Sequence, residues 1–235
     1  RYDEEIAYTD REVGRLLDAL DRLGAGEDTW IIVTADHGEH MIDGDHLYFC
    51  HGHDVHESTV RVPLIVRHKS VPAGRVDQPV SIVDIFPTVL GILGIPTPGD
   101  IDGYHLAGDL SRRPPPYAEG RDSSGSGGLQ RALIYPDRKV VVQHGMSNIP
   151  RAAWAVDAWG DPGEIRRVDV GSDDPARQLL EQLIRSDPHP GGRPRSYVHG
   201  ENPMALVDQG ADGATRQALR SLGYLDGDDE DPEAP

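Results

Sequence analysis

The chain has 235 residues and carries 40 Asp and Glu against 23 Lys and Arg, a formal net charge of −17. That balance argues against polyanionic partners such as nucleic acid or an anionic membrane surface. A hydrophobic share of 37% with 27 glycines and 19 prolines points to a modest core and many connections. No run approaches the roughly 18 apolar residues of a membrane-crossing helix.

The first residue is Arg1, and the sequence enters a helical pattern at once, which suggests a fragment or a chain processed from a longer one. Residues 2–24 are predicted as a helix. Ile6, Val13, Leu16, Leu17 and Leu20 fall on one stripe, the opposite face is charged, and Gly24 and Gly26 end it. Thr29 to Ala35 is a continuous, β-branched apolar run, the pattern of a strand buried on both faces of a parallel sheet. The turn Asp36-His37-Gly38-Glu39 follows directly. In open α/β sheets, ligands bind just past the carboxyl ends of strands. Residues 40–58 form a loop dense in His and Asp, and Val62 to Val66 reads as a second buried strand with Pro63 near its start. A helix over 84–93 is capped by Asp84, carries Pro87 in its first turn and stops at Gly94.

The second half is patterned differently. Asp122 to Gly128 is a flexible loop by composition, 131–135 and 138–143 make a hairpin around Pro136-Asp137, and Ala152 to Ala158 adds a strand. Helices are predicted over 174–185 and 214–222, with little periodicity between them and a disordered acidic end from Asp226. Cys50 is the only cysteine, so no intrachain disulfide can form. Lys69 and Lys139 are the only lysines, which reads as a coding bias toward Arg.

Chemistry concentrates at Asp36 and His37. A carboxylate beside an imidazole can ligate one divalent ion or be split between two. The loop that follows adds His40, Asp43, Asp45, His46, His51, His53, Asp54, His56 and Glu57. So many imidazoles and carboxylates in one loop point to an anion or metal site; a pH-sensing loop is the plainer alternative.

These segments, in this order, resemble the sulfatase family of the alkaline phosphatase superfamily. Tyr2 to Gly14 resembles the helix before the metal strand. Thr29 to Glu39 is similar to the segment ending in Asp-His-Gly-Glu. His51-Gly52-His53 and Arg61-Val62-Pro63-Leu64-Ile65-Val66 resemble the substrate-side loop and next strand, and Val83 to Leu90 with Gly94-Ile95-Pro96 the Asp-x-x-Pro-Thr helix. Tyr117-Ala118-Glu119, the hairpin, Asp157 to Glu164 and Leu219 to Leu225 echo the C-terminal subdomain and tail.

The resemblance implies an α/β fold: part of a mostly parallel, alkaline-phosphatase-like sheet with flanking helices, plus a small C-terminal α+β subdomain. Residues 1–112 would be the C-terminal half of the catalytic domain. Residues 113–190 would be the small subdomain with an antiparallel hairpin and a helix, and 191–235 an extended tail with a short helix and an acidic end. Asp36 and His37 fall at two ligand positions for a divalent cation, calcium first, with manganese or zinc as alternatives. His51, or His53 with one residue of slack, falls where the family binds a sulfate oxygen. Arg61 is the substrate-side arginine, for which an ion pair with Glu57 or Asp54 is the structural alternative. The family's nucleophile is a formylglycine made from Cys or Ser in Cys/Ser-x-Pro-x-Arg. Cys50-His51-Gly52-His53 does not fit that motif, so the nucleophile is expected in an N-terminal half outside this sequence, and this chain alone is expected to be inactive. The intact protein would hydrolyse a sulfate ester of a small molecule or glycan. Alternatives are a two-metal phosphate- or phosphonate-ester hydrolase, in which His56 becomes a metal ligand, and a non-catalytic anion-binding remnant.

Overall fold

The computed structural model describes residues 2–43, 46–47, 51–52, 54–99, 101–121, 128–145 and 149–186. His53, Cys50, the predicted helix over 214–222 and the tail lie outside the described residues.

Helix α1 spans Tyr2–Arg22, with Asp3, Glu4 and Glu5 in its first turn and Arg22 in its last, charges that complement the helix dipole. It ends as the sequence predicts. Gly24 takes φ +70°, Gly24 N–H donates to Asp21 O and Ala25 N–H to Leu20 O, which closes the last turn in a Schellman motif. The apolar stripe is present but only partly covered: no residue of α1 is buried, Val13, Leu17 and Leu20 are half-buried, and Ile6 and Leu16 are 54% and 62% exposed.

Strand β1 (Ile31–Thr34) and strand β4 (Leu64–Arg67) pair with each other, antiparallel, Ile31 opposite Arg67 and Thr34 opposite Leu64. The expectation of two strands buried on both faces is corrected. β1 is half-buried, and Ile65 and Arg67 of β4 are exposed; among the described residues the sheet has no third strand. Between them lie a two-residue hairpin, β2 (Ile42–Asp43) and β3 (His46–Leu47), and a single helical turn, α2 (Glu57–Val60).

Helix α3 (Ile85–Ile92) follows a 3₁₀ turn over Ile82–Asp84 and ends in a second Schellman motif at Gly94, φ +67°. Asp84 is not the side-chain cap of α3. Its carboxylate accepts from Ser81 N–H at 2.8 Å and Tyr104 N–H at 2.9 Å and pairs with Arg113 Nε at 2.7 Å, with both side chains buried. Thr88 Oγ1 donates to Asp84 O and accepts from Leu106 N–H. The Asp-x-x-Pro-Thr signature is thus a polar stitch that fastens residues 104–113 to α3.

The C-terminal region is a five-stranded antiparallel meander: β5 (Tyr117–Arg121), β6 (Leu129–Ile134), β7 (Lys139–His144), β8 (Pro150–Val156) and β9 (Val168–Asp169). The predicted hairpin is β6–β7, and the predicted strand at 152–158 is β8, shifted by two residues. The two-residue alternation of a strand sorts the core into two layers. On one face Leu133, Val140, Val142 and Ala153 pack against Ala176, Leu180 and Ile184 of helix α4 (Pro175–Ser186). On the other face Ala132, Val141, Trp154 and Val156 pack against Val55, a residue of the histidine loop. The loop is therefore the second cover of the C-terminal sheet, and this fixes its place in the fold.

Candidate active site

β1 delivers Asp36 and His37 to its carboxyl end. Asp36 Oδ1 accepts the His37 backbone N–H at 3.0 Å, which holds the carboxylate against the turn. His37 Nδ1 lies 2.9 Å from Gly38 O. A carbonyl oxygen only accepts, so Nδ1 carries the proton and a neutral ring offers its lone pair at Nε2. Nε2 sits 3.7 Å from Asp36 Oδ2. The two side chains are 75% and 40% exposed, so both donor atoms are open to a ligand. Gly38 permits the close approach of α2: a Cβ there would sit 2.0 Å from Ser58 O.

His51 comes from the loop to this pair. Its ring stacks on His37, with centroids 3.9 Å apart and planes inclined by 22°. Its Nδ1 lies 3.2 Å from Glu39 Oε2, so Nδ1–H donates to that carboxylate. Gly52 follows at φ +78°. Glu39 Oε1 is buried with no hydrogen-bond partner among the described residues, which leaves one unspent acceptor at the site.

The donor chemistry fits a divalent cation as half a site. One carboxylate oxygen and one imidazole nitrogen converge, and the other nitrogen of that imidazole is fixed by a carbonyl, the arrangement that orients metal-ligating histidines. Among the described residues no group of three His, Cys, Asp or Glu is gathered to hold an ion, so Asp36 and His37 would supply only part of a ligand set.

His40 and His56 have structural contacts. His40 is buried, with Nε2 3.0 Å from Asp54 Oδ1 and Nδ1 3.1 Å from Ser58 Oγ. His56 is buried as the N-cap of α2. Its Nδ1 faces Ser58 Oγ at 3.0 Å, and its Nε2 faces Gly163 O at 3.3 Å, an acceptor that requires Nε2–H. Arg61 makes neither of the ion pairs weighed for it; its guanidinium lies over the Trp159 ring, 4.2 Å from the centroid.

Sequence reasoning overlooked Lys139 and Glu164. Lys139 Nζ is fully buried and donates to Val55 O at 2.7 Å, to Glu57 Oε2 at 3.4 Å and to Glu164 Oε1. Glu164 Oε1 also accepts Glu57 N–H at 2.7 Å. One signal was available: a lysine kept at the head of an apolar strand in a chain that otherwise uses arginine.

The sulfatase family model matches residues 1–95. Arylsulfatase K of Bos taurus is 38% identical over 106 residues, a stretch that makes up 45% of this chain and 19% of that protein. The uncharacterized sulfatase YidJ of Escherichia coli (strain K12) is 34% identical over 99 residues, 42% of this chain and 19% of that one. The steryl-sulfatase of Mus musculus is 38% identical over 119 residues, 45% and 19% of the two chains. The matched stretch thus spans about a fifth of these relatives. A solved 2-O GAG sulfatase superposes with TM-score 0.56 at 20% identity, covering 94% of this chain and 43% of that one. A putative sulfatase from Bacteroides thetaiotaomicron gives 0.54 at 19%, again covering 94% and 43%. At these identities the likeness concerns the fold, which is the α/β fold of those sulfatases. Residues 1–95 of this chain match the sulfatase family model, and the sequence relatives and the fold neighbours are sulfatases as well.

Proposed function

We propose that the chain is the C-terminal portion of a sulfuric-ester hydrolase, in which Asp36 and His37 are two of the ligands of a divalent cation and His51 contacts the sulfate. One observation carries this reading: at the end of β1, His37 has its Nε2 3.7 Å from Asp36 Oδ2 and its ring stacked on that of His51. The matched stretch covers a small part of the relatives, which supports placing the nucleophile, a formylglycine by family resemblance, in sequence outside these 235 residues. A carboxylate–imidazole pair suits manganese or zinc as well as calcium, since calcium favours oxygen ligands.

A bound cation would draw charge from the nonbridging sulfate oxygens. The chain's own residues do the rest. Gly38 O holds the His37 ring so that Nε2 stays directed to the Asp36 side. Glu39 orients His51 through Nδ1–H, and as an imidazolium His51 has its Nε2–H left to donate to a sulfate oxygen. His53 is the rival for that contact. Arg61, stacked on Trp159, would contribute positive potential at the rim. The substrate is a sulfate ester of a small molecule or a glycan.

The test joins this chain to its upstream half and measures aryl sulfate turnover and metal content. Asp36→Ala is expected to lose both. His51→Ala is expected to lose turnover by on the order of 100-fold, comparable to removing one oxyanion donor, while keeping its metal. The 235 residues alone are expected to show no turnover. Loss of a metal ion in His56→Ala with a nearly silent His51→Ala would overturn this reading in favour of a two-metal phosphohydrolase. The present contacts of His56, with both ring nitrogens engaged by Ser58 and Gly163, support the sulfatase reading.

A further inference from the structure

We infer that Lys139 and Glu164 of the C-terminal sheet are positioning residues for the Asp36–His37 pair, acting across the fold through α2. The inference rests on the metal-site reading above for its functional meaning, though not for its geometry.

The connection can be followed atom by atom. Lys139 opens β7, on the same face as Val141, the face that packs against Val55. Its ammonium reaches the loop at Val55 O and Glu57 Oε2 and is charge-paired with Glu164. Glu164, at φ +50° after the turn through Gly163, accepts the Glu57 N–H that begins α2. One residue earlier, His56 Nε2–H donates to Gly163 O. The start of α2 is therefore held by three contacts from residues more than 80 positions away in sequence. At the far end of the same turn, Thr59 O accepts Gly38 N–H at 2.8 Å, and Ser58 O occupies the space a Cβ on Gly38 would need. Gly38 O in turn accepts His37 Nδ1–H. Displacing α2 would move the carbonyl that sets the His37 ring.

The chemistry of the clamp suits this task better than stabilisation would. A buried ammonium and carboxylates lose hydration on burial, and well-packed apolar groups often hold a fold as tightly. What the charges add is direction: each contact is satisfied only when Val55 O and Glu57 N–H are in register with the sheet. α2 is one turn long, too short to hold its own shape. It needs an external template, and the Lys139–Glu164 pair is one.

The experiment uses the whole chain with two substitutions. Lys139→Met keeps an apolar stem and removes the ammonium; Glu164→Gln keeps the shape and an acceptor oxygen and removes the charge. Native-state amide exchange is read residue by residue, with Mn²⁺ broadening of the His37 ring as a second readout. The expected result for Lys139→Met is faster exchange, by on the order of tenfold or more, at Glu57 and Gly38, with Val141 and Val142 on β7 within about twofold, together with weakened Mn²⁺ broadening. A merely structural lysine would instead raise exchange across β6, β7 and β8 together, and that outcome overturns the inference. So does a folded variant with Glu57 and Gly38 unchanged. If Lys139→Met does not fold, Glu164→Gln is judged by the same two patterns. If the unsubstituted chain shows no Mn²⁺ broadening, the metal reading fails, while the response of Gly38 still decides whether Lys139 positions the turn.

Discussion

The two halves of the molecule are held together by different chemistry. From Leu129 onward two apolar layers carry the packing: Leu133, Val140, Val142, Leu180 and Ile184 form one and Ala132, Val141, Trp154 and Val156 the other, with Arg131, Lys139, His144, Asp161 and Glu164 buried beside them. Before Leu129, prolines and glycines aside, the one buried apolar side chain among the described residues is Val55. What is buried there is polar: His40, His56, Glu57, Thr59, Asp84, Thr88 and Arg113. The first half is held mainly by hydrogen bonds and the buried Asp84–Arg113 pair, whereas the second half has two hydrophobic layers in addition to its buried Lys139–Glu164 pair. Hydrophobic packing accepts many sequences of the right pattern and volume, while a polar stitch needs particular residues at particular spacings. A family signature therefore stands out in the first half and fades in the second, although the second holds the core.

That contrast can be broken by substitution. The largest effect is expected from Asp84→Asn, which leaves buried Arg113 without its charge partner. A loss of about 3–5 kcal/mol in denaturant unfolding is expected for this buried pair. A loss under about 1 kcal/mol would mean the stitch around α3 is ornamental. Next comes Leu180→Ala, with about 2–5 kcal/mol expected because its side chain is fully buried under β6 and β7. Leu16→Ala at an exposed position of α1 should stay within about 0.5 kcal/mol. Equal costs for the two leucines would show that α1 is covered in solution.

The smallest effect concerns pH. The backbone N–H of Arg166 holds Asp161 below its ordinary aspartate value of 3.8; burial opposes this, and further bonds from Ile165 and the Arg166 side chain reinforce it. The folded pKa is the lower one, so this stabilisation is present above 3.8 and is lost as pH falls through the folded value. Asp161→Asn should therefore flatten the acid side of a thermal-midpoint-against-pH curve and leave its slope near neutrality unchanged. An altered slope near pH 7 would assign the effect to another group.

The sequence announced the elements well where periodicity or end chemistry is local. Gly24 and Gly94 marked both helix ends, and the alternation around Pro136-Asp137 marked β6–β7. The closeness of Asp36, His37 and His51 was also legible, because a polar turn after an apolar strand is a local pattern and the loop returns to it. What could not be read were contacts between residues far apart in the chain. Asp84 looked like a helix cap because its partners, Tyr104 and Arg113, lie about twenty to thirty positions on. Arg61 read as a substrate-side arginine, with an ion pair as the alternative, and nothing local pointed to its stacking on Trp159. Lys139 and Glu164 carried no periodic signal, since each is explained only by the loop it meets. The antiparallel pairing of β1 with β4 was hidden for a related reason: an apolar run fixes a strand's burial and leaves its direction open.

The most direct test of the account is a Mn²⁺ titration of the isotopically labelled chain followed by NMR, because paramagnetic broadening reports where the ion sits. The account predicts that the first signals lost belong to Asp36, His37 and Gly38, with His51 and Gly52 close behind, and that Asp36→Ala abolishes this pattern while His56→Ala leaves it intact. Broadening that begins at His40 and His56, or that survives Asp36→Ala unchanged, would contradict the assignment of Asp36 and His37 as metal ligands.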